Sequence, residues 1–250
     1  MAEPRGAVAA DPAARPYVVV HVAVSVDGAT TGFAPDIVRF YELARTWDED
    51  VTLTGADTIL AQEEALAAEP GPGPAEDGPV LAVVDGRRRV RAWQALRDAG
   101  YWSAVVALRS RTGSADGGAP RDAAAPDGLA PDDPEAVEEL VVGDGRVDLA
   151  AILDVLGERG AAMVRVDSGG ALTGAMLRAG LVDEISLLVH PCLAGAGADR
   201  AGGPDGGAGT DRADGTVHAW FGTNPPPASA LRLVSAKTFD DAVVWLRYHR

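Results

Sequence analysis

Short runs of β-branched and aliphatic residues recur along this chain, and helical periodicity fills most of the gaps between them. The first and longest run, Tyr17-Val-Val-Val-His-Val-Ala-Val-Ser25, is apolar on both faces. A strand of that kind needs cover on both sides, as in a sheet flanked by helices. Further strands are predicted at Val51–Thr54, Val80–Val84, Ser103–Leu108, Glu139–Val142, Ala162–Val166 and Glu184–His190. Helices are predicted over Asp36–Asp50, Asp57–Ala68, Trp93–Ala99, Asp148–Arg159 and Leu172–Ala179. In the first of these, Ile37, Phe40, Tyr41 and Ala44 share one face. Two consecutive strands, Leu231–Ser235 and Ala242–Tyr248, close the chain around Asp240-Asp241. This order predicts an α/β protein with a mostly parallel central sheet, helices on both faces and an antiparallel C-terminal edge.

The remaining segments are punctuation. Residues 1–16 are Ala, Pro and charge, which predicts a disordered tail. Residues 110–135 and 195–215 are Gly, Ala, Pro and Asp with few large apolar side chains, and read as loop insertions. Residues 17–250 are expected to form a single domain, with both insertions as loops within it.

Charge and cysteine usage exclude several classes of function. There are 22 basic and 37 acidic residues, for a formal charge of −15. The field of such a protein repels phosphate, which argues against nonspecific binding to nucleic acid or to an anionic membrane. A single cysteine, Cys192, leaves no intramolecular disulfide and no cysteine-cluster metal site. No apolar run approaches the ~20 residues that cross a bilayer. The first residues lack the apolar core of a secretion signal, so the expected location is the cytoplasm. Lys237 is the one lysine, and it alone could form a Schiff base.

In open α/β sheets, ligands bind beyond the carboxyl ends of the strands. Three small-residue turns qualify: Ser25-Val-Asp-Gly28, Thr54-Gly-Ala-Asp-Thr58 and Asp167-Ser-Gly-Gly170. The last is the most specific. Its paired glycines allow close backbone approach, and the following helix offers free N–H groups and partial positive charge to a phosphate. The same residues also fit a tight turn in which Ser168 or Asp167 caps the helix. Gly55 and Thr58 carry the same two readings. Asp27 is either a ligand-facing carboxylate or a turn residue bonded to its own backbone. The four histidines, 21, 190, 218 and 249, share no metal-ligand spacing, and no metal site is assigned. His21 and His190 lie inside strand runs and read as core or lining residues. The basic run Arg87-Arg-Arg89 is either a solvated loop or a grip on a nucleotide phosphate.

Together these motifs resemble the pyrimidine reductases of riboflavin biosynthesis, which have a dihydrofolate-reductase-like fold. Val24-Ser-Val-Asp-Gly28 is similar to that family's Ser-Leu-Asp-Gly-Lys. Thr54-Gly-Ala-Asp-Thr-Ile-Leu-Ala61 is similar to its Val-Gly-x-x-Thr-Val-Leu-Ala, and Val80–Gly86 to its Val-Val-Leu-Asp strand. The densest match is Val166-Asp-Ser-Gly-Gly-Ala-Leu-Thr-Gly-Ala-Met-Leu-Arg-Ala-Gly-Leu-Val-Asp-Glu184, against Glu-Gly-Gly-x-x-Leu-x-x-x-Leu-Leu-x-x-Gly-Leu-Val-Asp-Glu. His190-Pro-Cys-Leu-Ala-Gly195 resembles Ala-Pro-x-Leu-x-Gly.

The resemblance implies a three-layer αβα reductase that uses NADPH to reduce the ribosyl group of a diaminopyrimidinone ribose phosphate. It implies a cofactor site at Gly55, Thr58, Gln62, Asp85, Ser168, Gly169, Gly170, Ala171 and Leu172. It puts the substrate at Ser25, Asp27 and Gly28, with Asp27 as the candidate catalytic residue. It also implies a homodimer, for which the C-terminal pair with Val243, Val244 and Trp245 offers a contact. Three residues depart from the family pattern: Ala29 replaces a common Lys, Ser168 a common Glu, and Gln62 a frequent Asp. A substrate phosphate still needs a cation, and Arg39 and Arg45 are the candidates. Because the departures fall on ligand-facing positions, two alternatives stand beside the pyrimidine reductase. One is a reductase for a dihydropterin or another small carbonyl or imine; the other is a nucleotide-binding module without turnover.

Overall fold

The Tyr17–Ser25 run, β1, is walled in by strands on both sides and by side chains on both faces. A computed structural model describes residues 15–68, 71–111, 137–194 and 219–250. After β1 come α1 (Ile37–Ala44), β2 (Val51–Gly55), α2 (Ala56–Leu60), α3 (Glu63–Ala68), β3 (Val80–Val84), α4 (Trp93–Asp98) and β4 (Ala104–Arg109). Then follow β5 (Glu138–Val141), α5 (Leu149–Glu158), β6 (Met163–Val166), α6 (Gly170–Arg178), β7 (Glu184–His190), β8 (Arg232–Thr238) and β9 (Val244–His249). Among the described residues, nine strands join one sheet in the order β5-β4-β3-β2-β6-β1-β7-β9-β8. The pairs from β5 to β7 are parallel, and β9 runs antiparallel to both β7 and β8.

Alternation along β1 sorts its side chains between two layers. Val18, Val20, Val22 and Val24 pack with Ile152, Leu153 and Leu156 of α5 and with Leu172, Met176 and Leu177 of α6. Val19 packs instead with Trp47 and Met163, while Ala23 meets Phe40 and Leu43 of α1. The outer strands β3 and β4 bury Leu81, Val83, Val105 and Ala107 against Ile59, Trp93 and Leu96. The expected three-layer αβα arrangement is therefore present, with α5 and α6 on one face and α1, α2 and α4 on the other. Among the described residues, no helix is long and apolar enough to cross a membrane.

Several boundaries differ from the sequence reading, each for a local reason. The first helix stops at Ala44 rather than running to Asp50. Its predicted last turn is acidic, which opposes the helix dipole. Those acids instead tie down β6: Asp50 accepts from the Ala162 and Met163 N–H groups, and Glu49 pairs with Arg165. The predicted helix from Asp57 to Ala68 breaks after Leu60 into α2 and α3. The break brings Glu63 to the start of α4, where it accepts from the Arg91 and Ala92 N–H groups.

Arg15 belongs with the ordered chain rather than the tail, since it pairs with Asp183 at 2.7 Å and donates to the Leu181 carbonyl. The rest of the predicted tail, and nearly all of both predicted insertions, lie outside the described residues. The residues expected at a subunit contact are largely used within the chain. Val243 is buried with Phe40 and Leu188, and the Trp245 indole donates to Ser186. The exposed apolar residues of this hairpin are Leu231, Leu233 and Val234, on or beside the edge strand β8.

Candidate active site at the carboxyl edge of the sheet

Four neighbouring parallel strands, β2, β6, β1 and β7, end along one edge of the sheet. Their last residues bring together the three turns singled out in the sequence. Between β2 and β6, the Gly55 N–H donates to Ser168 Oγ at 3.1 Å, and Thr58 Oγ1 lies 3.3 Å from the same oxygen. The Gly169 N–H in turn donates to Thr58 Oγ1. Ser168 and Thr58 therefore bind each other and the two turns. A Cβ on Gly55 would stand 3.0 Å from Ser168 Oγ, so glycine permits this close packing.

Neither Ser168 nor Asp167 caps α6. The N-cap is Gly169, no side chain bonds there, and the first turn holds no acidic residue. The other long helices are treated differently. Asp36 caps α1 and Asp148 caps α5. The N–H groups that open α6 thus keep their partial positive charge for something else. Gly169 has room for a visitor, since a Cβ built there meets no atom within 4 Å. The neighbouring α2 also starts without a side-chain cap, at Gly55. Ala171 is exposed, whereas the Leu172 side chain is core, so Leu172 can offer a ligand only its backbone.

On the β1 side, Ser25 Oγ donates to Asp27 Oδ1 at 2.5 Å and accepts from the Ala29 N–H. Asp27 Oδ1 also accepts from the Ala194 N–H. Asp27 is exposed, and its carboxylate is tied into its own turn. Gly28 has φ +81, which glycine adopts without strain. Ala29 pairs with Ala219, and the Trp220 N–H donates to the Gly28 carbonyl. The same short segment, Ala219–Gly222, crosses α6 so closely that a Cβ on Gly170 would meet Ala219 O at 2.7 Å. It thereby links the Ser25–Ala29 turn to the start of α6. His190, at the end of β7, is buried, and its hydrogen bonds fix its tautomer. Its Nε2 accepts from the Asp36 N–H, so Nδ1 carries the proton and donates to the Leu188 carbonyl.

Other candidates sit elsewhere. Asp85 is corrected from a ligand-facing residue to a buried scaffold residue. It is 1% exposed, pairs with Arg109 at 2.6 Å and accepts from the Arg89 and Val90 N–H groups. It shapes the turn that carries Arg87–Arg89. In that turn Arg88 binds Glu139 through both of its terminal nitrogens, and Arg89 pairs with Asp57 in the first turn of α2. Gln62 is exposed at the junction of α2 and α3. Arg39 is bound to Asp241 at 2.7 Å and clamps α1 to the C-terminal hairpin. Arg45 is exposed.

The sequence reading missed two features. One is the Ala219–Gly222 crossing, which carries no local signal because it depends on contacts distant in sequence. The other is the pairing of Arg165 with Asp167, whose charge also reaches the Tyr41 hydroxyl. It left a trace: charges at alternate positions, Arg165 and Asp167, in an otherwise apolar strand.

Residues 16–243 match the model of the RibD C-terminal domain. The chain belongs to that family. Two curated relatives are each named 2,5-diamino-6-ribosylamino-4(3H)-pyrimidinone 5′-phosphate reductase. The one from Methanothermobacter thermautotrophicus is 29% identical over 190 residues, covering 72% of this chain and 80% of its own length. The one from Archaeoglobus fulgidus is 28% identical over 196 residues, covering 72% and 83%. Among solved structures, a pyrimidine reductase-like protein from Corynebacterium diphtheriae shares the fold with a TM-score of 0.60 at 14% identity, covering 94% of this chain and 91% of that one. The riboflavin biosynthesis reductase of Saccharomyces cerevisiae does so with a TM-score of 0.57 at 16% identity, covering 94% and 89%. The curated relatives are reductases, and this member of the RibD C-terminal domain family is an enzyme of the oxidoreductase class.

Proposed function

We propose that this chain is an NADPH-dependent reductase acting on a diaminopyrimidinone ribose phosphate of the kind its curated relatives are named for. The observation that carries this reading is the start of α6. It is an uncapped helix N-terminus at the site edge, with no acidic residue in its first turn and open space at Gly169. Such a terminus suits a pyrophosphate. The fit extends to a second phosphate. Its support is the Arg87–Arg89 turn, which the Arg89–Asp57 pair ties to α2 and in which Arg87 is exposed. When bound, NADPH supplies the hydride. The protein's part is orientation and electrostatics. Gly55, Thr58 and Ser168–Leu172 hold the cofactor, and the Ser25–Ala29 turn walls the substrate side.

Titration of the purified chain with NADPH and NADH, followed by tryptophan fluorescence, tests the reading. Tight binding of NADPH and much weaker binding of NADH are expected. Binding of neither would leave the α6 terminus a structural turn and sink the proposal. The reading includes a homodimer joined through the exposed Leu231, Leu233 and Val234. Light scattering of the same sample at the mass of one chain would remove that part alone.

A further inference from the structure

Resting on the reductase reading, we propose that Asp167 is the carboxylate that recognises the substrate's heterocycle. It would do so by pairing with adjacent ring N–H and amino donors. The rival by sequence is Asp27, but that carboxylate is exposed and already holds Ser25 Oγ and the Ala194 N–H. A solvated carboxylate discriminates weakly, because water competes for it on equal terms.

Asp167 is placed and held differently. It lies one residue beyond the Val20–Val166 and Leu53–Val166 pairs, at the middle of the site edge. Its side chain is 27% exposed, so it is neither sealed in the core nor fully hydrated. Oδ2 accepts from Arg165 Nη1 at 2.9 Å, and Arg165 is anchored on its other side by Glu49 at 2.7 Å. Arg165 is only 5% exposed, so this orientation is rigid. Tyr41 is 48% exposed, yet desolvation around its hydroxyl and then the Asp167 charge push its pKa up to about 12, so it stays protonated beside the carboxylate. The neighbouring His21 adds no competing charge, since burial keeps it neutral. Thr54 Oγ1, one residue past Leu53, is buried without a partner among the described residues. The Asp167 carboxylate is thus aimed by a buried arginine, partly dehydrated, and next to the turn that carries the cofactor glycines. An amidine-like edge, one ring N–H beside one amino group, matches two carboxylate oxygens in a bidentate pair. Aminopyrimidinones present that edge.

The test uses the full chain and two probes. One is the ribosylated diaminopyrimidinone phosphate as substrate; the other is a free diaminopyrimidinone, whose binding is read by calorimetry without turnover. Asp167→Asn keeps the shape and leaves Glu49 on Arg165. It is expected to raise KM and weaken the free ring by ~10–100-fold, the range of a hydrogen bond to a charged group. The NADPH dissociation constant should change by less than about 3-fold. If Asp167→Asn does not fold, Tyr41→Phe decides the matter through a smaller KM rise with kcat retained. Unchanged ring affinity in Asp167→Asn, or a loss that appears in Asp27→Ala instead, overturns the assignment. A wild-type chain that binds no NADPH refutes the reductase reading itself, which is a separate result.

Discussion

Gly169→Asp is expected to weaken NADPH binding by two to three orders of magnitude while making the folded chain slightly more stable. The two effects share one cause. Gly169 is the N-cap of α6 and has φ −64 and ψ 173, an extended conformation open to any residue. A Cβ there meets nothing within 4 Å, so the new side chain brings no clash. Asp is among the best N-caps and is worth about 0.5–2 kcal/mol at a helix start that lacks one. The same carboxylate occupies the phosphate's place and repels it. At ~4 Å and an effective dielectric near 20, two unit charges repel by about 4 kcal/mol, which sets the upper end of the range. Thermal unfolding and fluorescence titration read the two halves separately. Unchanged NADPH affinity would move the cofactor away from α6, whatever the stability does.

The neighbouring glycine supplies the contrast. A Cβ on Gly170 collides with the backbone of Ala219 and Gly222. Backbone cannot swing aside as a flexible side chain can, so Gly170 is a packing glycine, whereas Gly169 is a glycine of approach. The sequence shows two adjacent glycines and does not separate these roles. Only the crossing of Ala219–Gly222, almost fifty positions further along, divides them.

The same limit explains what else was legible. The strands announced themselves because β1, β2, β3 and β6 are largely buried on both faces and so are dominated by aliphatic residues, with His21, Thr52, Thr54 and Arg165 as the few buried polar interruptions. The site edge followed from where those runs ended. Ser168 and Thr58 read as cap or ligand with equal ease, since a hydroxyl before a helix serves either end. In the structure they bond to each other and to the Gly55 and Gly169 N–H groups, which depends on β2 and β6 being neighbours. Asp85 was misread for the same reason. Nothing near it in sequence reveals that Arg109, 24 positions on, arrives to neutralise it. Local chemistry placed the turns, and long-range pairing decided what each side chain was left free to do.

The second large effect concerns acid. Between pH 6.5 and 5 the chain is expected to lose about 2 kcal/mol of stability through His21 alone, and the loss should grow further toward pH 4. His21 Nε2 lies 3.0 Å from the Phe40 carbonyl, which can only accept, so Nε2 carries the proton. Nδ1 then accepts from Ser186 Oγ, which accepts in turn from the Trp245 indole. Both ring nitrogens are satisfied in the neutral form, and the ring stacks on Phe40 at 4.2 Å. Burial lowers its pKa to about 3, helped by the positive Arg165 and Arg247, against the opposing pull of the Phe40 carbonyl. The unfolded chain takes up this proton below about 6.5, and the folded chain does not until about 3. Protons therefore favour the unfolded state throughout that window, and stability falls as pH falls. Above pH 5 most carboxylates stay ionised in both states, so the slope there isolates histidine. His21→Gln removes the titrating group, and its melting temperature should fall less than the wild type's between pH 6.5 and 5. Equal slopes would mean that the folded protein accepts the proton at His21. That outcome would place a second positive charge beside Arg165 in mild acid, where the Asp167 carboxylate would feel it directly.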